Sequence, residues 1–156
     1  MGTNLPMRLS RAFRCSPALL LVLAGCHGKA DTIRADHGWV RLAAVPGRPA
    51  AAYLALHGGP EAARLLAVES PEAGTSELHQ SMKMHGGVMS MQRLDGIDLP
   101  AGGELTFAPG GYHVMLFGLN PKVKSGDRVR LTVRFAKGPP LDIEAKVVGA
   151  GEDAPY

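Results

Sequence analysis

Five of the seven methionines lie between positions 82 and 115; the other two are Met1 and Met7, at the extreme N-terminus. Met82, Met84, Met89, Met91 and Met115 share that window with His85 and His113, and His79 lies just before it. Cys is absent from the window and acidic residues are sparse. Thioethers combined with imidazoles, and few hard oxygen donors, suit Cu(I) far better than Zn²⁺, Ca²⁺ or Mg²⁺. Methionine also fills irregular gaps in apolar cores. Core filler would be spread over the strands, however, and would not bring histidines with it.

Spacing sharpens the chemistry. His113 and Met115 are two apart on an apolar run, so on a strand both project from one face, leaving Val114 and Leu116 for the core. Pro109-Gly110-Gly111-Tyr112 is a turn that sets His113 near a strand end. Further upstream, Gly86-Gly87 is a dipeptide favoured in two-residue hairpin turns. A strict turn there places residue 84 opposite 89 and residue 82 opposite 91, making a ladder of Met82, Met84, Met89 and Met91. His79 has the wrong parity for that ladder. A bulge or a longer connection brings His79, and not Met82, to the side of Met91. The sequence leaves both geometries open. His85, beside the two glycines, reads as a turn residue and an auxiliary ligand candidate together with Met82, Met84 and Met89. His27, His37 and His57 carry no assigned role.

The elements that must hold these residues are short and punctuated. Strands are expected near 38–43, 51–56, 63–70, 75–84, 88–94, 103–107, 113–119, 127–136 and 141–148, separated by Gly/Pro turns such as Pro71-Glu72-Ala73-Gly74 and Lys137-Gly138-Pro139-Pro140. The 20 Gly and 12 Pro, recurring as turns, predict an all-β sandwich or barrel. Alternation is clearest where Val129, Leu131, Val133 and Phe135 interleave with Arg128, Arg130, Thr132 and Arg134. Residues 141–148 alternate likewise, so the two segments predict a hairpin with basic residues facing acidic ones on its wet side.

The N-terminus is an export signal. Arg8, Arg11 and Arg14 precede a short apolar run, 18–24, too short to span a bilayer permanently. Leu23-Ala24-Gly25-Cys26 resembles the lipobox of bacterial lipoproteins, which implies cleavage before Cys26 and its acylation. The expected organisation is a signal peptide over 1–25, a tether over 26–36, one domain over 37–149 and a tail over 150–156. Losing three arginines with the signal leaves 14 Lys+Arg against the 14 Asp+Glu of the chain. The mature protein is therefore near neutral, which gives no warrant for nucleic-acid binding. With Cys15 removed and Cys26 acylated, the domain has no disulfide and must be held by packing.

The stretch Gly103–Leu119, with Met91, 21 intervening residues, and then His113-Val114-Met115, resembles the signature of the periplasmic copper chaperones called PCuAC. That family's motif is a His, a Met after about ten residues, 21 residues, then His-x-Met; here 11 residues separate His79 from Met91. Trp39-Val40-Arg41, 50–54 and Glu77-Leu78-His79 match family segments too. The resemblance implies a cupredoxin-like β-sandwich that holds Cu(I) through His79, Met91, His113 and Met115. It also implies a chaperone, not an enzyme, that delivers copper to the dinuclear copper site of cytochrome c oxidase, often alongside a thioredoxin-like copper protein. With the lipobox, the expected location is extracytoplasmic and anchored to a bacterial membrane. The rival readings are a copper-sequestering lipoprotein that uses the extra methionines, and a metal-free interaction module with a methionine patch.

Overall fold

The computed structural model describes residues 1–2, 32–83 and 89–156. Residues 3–31, with Cys26 and the rest of the expected signal, and residues 84–88, with Met84, His85 and Gly86-Gly87, lie outside the described residues. Among the described residues ten strands follow in chain order: β1 (Arg34–Arg41), β2 (Ala50–His57), β3 (Ala63–Glu69), β4 (Thr75–Lys83), β5 (Met89–Leu94), β6 (Ile97–Leu99), β7 (Glu104–Thr106), β8 (Tyr112–Phe117), β9 (Arg128–Phe135) and β10 (Leu141–Val148). Nine match the expected segments to within a few residues. The tenth, β6, is not among the expected segments; it is only three residues long and is wedged between Gly96 and Pro100. β1 begins at Arg34, inside the segment expected to be tether.

The strands are hydrogen-bonded in the order β5-β4-β8-β2-β1-β10-β9-β3-β6, and β7 also pairs with β2. Every strand except β5 places at least one buried apolar residue in a single cluster, and β5 adds the half-buried Leu94. A flat sheet could not gather both of its ends around one core, so the sheet folds over and packs against itself. Val114 and Leu116 of β8 are both fully buried in that cluster, as strand parity requires.

The late hairpin forms as expected, with Val129, Leu131 and Val133 buried. Its wet face is only partly charge-matched. Glu144 sits opposite Arg130, but Asp142 sits opposite Thr132, which donates a 2.7 Å hydrogen bond to it, and Lys146 sits opposite Arg128. Arg134 instead pairs with Glu69 of β3 at 2.6 Å. In β1 the register shifts between Asp36 and Trp39, where His37 adopts a φ of 51°. The Asp36 carboxylate there is shared by His37 at 2.8 Å and His57 at 3.0 Å.

Candidate metal centre

Three adjacent strands build the candidate site. β4 lies between β5 and β8, antiparallel to both. Across β4 and β8, His79 is directly opposite His113 and Glu77 opposite Met115. Across β4 and β5, Ser81 is opposite Met91, His79 opposite Arg93 and Lys83 opposite Met89. Directly opposed residues share a face, as do residues two apart on one strand. His79, Met91, His113 and Met115 therefore all project from the same outer face of the sheet.

This register corrects the strict two-residue hairpin. Residue 82 faces Ser90, not Met91, and Met89 faces Lys83, not Met84. Met82 consequently lies on the opposite face from Met91. The cause is the core: Leu78 is opposite Leu94, and both point inward. A slip to the strict-turn register would set Leu78 against Asp95 and turn Leu94 outward, and a one-residue slip exchanges the buried and wet faces. Of the auxiliary candidates, Met89 is on the site face and exposed, Met82 is not on that face, and Met84 and His85 fall outside the described residues.

The turn before β8 sets the pose of His113. Ala108 to Gly111 is closed by a 3.0 Å bond from the Gly111 N–H to the Ala108 carbonyl. Pro109 and Gly110 occupy its centre, and Gly110 has a φ of 83°, the conformation a type II turn requires at its third position. The Gly111 carbonyl then accepts two bonds: one from the Ser81 N–H at 3.0 Å and one from His113 Nδ1–H, also at 3.0 Å. This leaves Nε2 as the unprotonated nitrogen of a neutral His113. His113 does lie near the start of β8, as its turn requires, yet it is only 5% exposed while Met91 is 56% exposed. The site is covered at its histidine end and open on the β5 side.

His79 is held differently. Its Nε2 bonds Glu77 Oε2 at 2.9 Å, and its Nδ1 is buried with no hydrogen-bond partner among the described residues. A buried polar atom without a partner is costly, and an unprotonated imidazole nitrogen in that position is suited to a metal. The two rings lie 5.8 Å apart between centroids and are tilted by 37°. The His79 hydrogen bond, aided by Arg93 and opposed by partial burial, holds the Glu77 carboxyl below its ordinary range. The Arg93 guanidinium reaches Glu77 Oε1 at 3.2 Å. Glu77 and Arg93 were not singled out from sequence, although the i, i+2 spacing of Glu77 and His79 already put them on one strand face.

An apolar groove of about 1050 Å³, lined by Ile33, Pro60, Leu99, Phe135 and Pro139 among others, shares no residue with this cluster. The candidate centre lies instead on the outer face of β5, β4 and β8, exposed at Met89 and Met91 and covered at His113.

Comparison with known proteins identifies the family and the fold. Residues 33–147 match the family model described as "Putative lipoprotein LpqE-like". The chain belongs to this LpqE-like, PCuAC-type family. A relative from Leifsonia xyli subsp. xyli, named "Putative lipoprotein Lxx21020", is 33% identical over 84% of each chain. Among solved structures, the copper-bound PCuAC domain from PmoF2 is similar with a TM-score of 0.63 and 26% identity, covering 77% of this chain and 95% of that one. CuI-DR1885 from Deinococcus radiodurans is similar with a TM-score of 0.58 and 28% identity, over 80% of this chain and 83% of that one. The PCuAC-type fold is the cupredoxin-like β-sandwich, as the family resemblance implied; the strand pattern by itself predicted an all-β sandwich or barrel.

Proposed function

We propose that this PCuAC-type domain is a copper carrier that holds Cu(I) through His79, Met91, His113 and Met115 and passes it to a recipient by ligand exchange. The observation that carries the reading is the β5-β4-β8 register, which brings two imidazoles and two thioethers to one sheet face. The orphaned Nδ1 of His79 and the copper-bound state of the PmoF2 relative support it. All four ligands are neutral, so the bound ion keeps its single positive charge, a set that disfavours Cu(II). Blue-copper electron transfer would require a Cys thiolate, and both cysteines precede the domain. Carriage therefore fits the ligand set better than catalysis.

The double variant His113→Ala with Met115→Ala tests this reading. Cu(I) affinity of the purified domain should fall to background in a competition titration with a Cu(I) chelator, and an unchanged affinity would sink the proposal. Stoichiometry separates carriage from sequestration: one tightly held Cu(I) per chain fits the carrier, and several would favour storage through Met89 and its neighbours.

We further propose that Cys26 is acylated and anchors the domain outside the cytoplasm, where the dinuclear copper site of cytochrome c oxidase is the recipient and a thioredoxin-like copper protein acts alongside. A tether beside the membrane raises the effective concentration of an embedded recipient. Cys26→Ser should leave Cu(I) binding intact in vitro and lower oxidase assembly in cells. Normal assembly with the unanchored protein would contradict that role.

A further inference from the structure

We propose that Glu77 is the positioning residue of the site: its carboxylate fixes His79 in the tautomer that presents Nδ1 to the metal. This rests on the Cu(I) reading above and adds to it the atom through which His79 binds and the residue that selects it. Glu77 and His79 are two apart on β4 and share its outer face. Glu77 Oε2 lies 2.9 Å from His79 Nε2, and its other oxygen, Oε1, lies 3.2 Å from the Arg93 guanidinium. Arg93 stands directly opposite His79 on β5. Arg93, Glu77 and His79 thus form a chain across two strands in which the carboxylate is held from one side and holds the ring from the other.

The protonation pattern follows from donor and acceptor inventory. An ionised carboxylate only accepts hydrogen bonds, so Nε2 must carry the proton. A neutral ring then has its lone pair on Nδ1, which is the atom found buried and without a partner among the described residues. The other tautomer would aim a buried Nδ1–H at no acceptor and set the Nε2 lone pair against the carboxylate, so both contacts would be unfavourable. His113 carries the opposite assignment, because its Nδ1–H is committed to the Gly111 carbonyl. The pair is therefore asymmetric, offering Nδ1 from β4 and Nε2 from β8. A carboxylate on the far nitrogen also makes the ligating nitrogen more basic. In a site built otherwise from neutral ligands and one backbone carbonyl, Glu77 supplies the nearby negative charge.

Histidine nitrogen NMR on the metal-free protein, at a pH where the imidazoles are neutral, reads the tautomers directly. In the wild-type chain His79 should be protonated at Nε2 and His113 at Nδ1. In Glu77→Ala, His79 should lose its single tautomer while His113 keeps its own, and Cu(I) affinity should fall by about 10–100-fold. Glu77→Gln, whose amide oxygen still accepts from Nε2–H, should restore the tautomer and recover most of the affinity. The proposal is overturned if wild-type His79 is protonated at Nδ1, or if Glu77→Ala keeps both tautomer and affinity. The two readings fail separately. Tautomers that follow Glu77 in a protein that binds no Cu(I) would refute the copper reading, whereas Cu(I) binding with a His79 tautomer indifferent to Glu77 would refute this one.

Discussion

Met91 is more than half exposed at the edge of the sheet, a position where a thioether gains little from packing. Exposure separates a ligand role from a core role at this residue. Leucine has nearly the same volume, and substitutions on the surface usually move stability by no more than about 0.5 kcal/mol. Met91→Leu should therefore leave the thermal midpoint within error while lowering Cu(I) affinity by at least tenfold, an arbitrary but easily resolved threshold worth about 1.4 kcal/mol. A matching loss of stability with unchanged affinity would return Met91 to the packing role. The types and parity of His113 and Met115 were legible in the sequence, because i and i+2 on an apolar strand admit one arrangement. The state of each imidazole was not. It depends on Gly111 and Glu77, whose contacts form only when turn and strands are in place.

Register decides which residues of the β4–β5 hairpin can reach the site. The glycine pair pointed to a tight turn and hence to Met82, whereas inward packing of Leu78 against Leu94 selects the register that brings His79 to the outer face. Local turn chemistry and core packing competed here, and packing prevailed, because the alternative would turn Leu94 out of the apolar cluster. That conflict is why the sequence could list both geometries and choose neither. His79→Ala should accordingly weaken Cu(I) binding strongly, and Met82→Ala should not, as measured by the same chelator competition. The reverse ranking would show that the hairpin pairs in its strict-turn register. Most other strands were legible because alternation and Gly/Pro punctuation coincide. β6 was not, since three residues are too few to show a period.

At the scale of the whole molecule, the sheet folds on itself so that one face makes the core and the outer face of β5, β4 and β8 is left to function. The core needs no disulfide, and neither cysteine lies within the ten strands. The acylation proposed at Cys26 would then place the domain at a membrane without altering the ligand face. Met91 and Met89 are exposed on that face. In the proposed carrier, one Cu(I) ion takes nitrogen from His79 and His113 and sulfur from Met91 and Met115. X-ray absorption on the Cu(I)-loaded domain counts those ligands directly. The copper should show a mixed nitrogen and sulfur shell that loses sulfur in Met91→Leu and in Met115→Ala. A shell of nitrogen and oxygen alone, or sulfur that survives both substitutions, would contradict it.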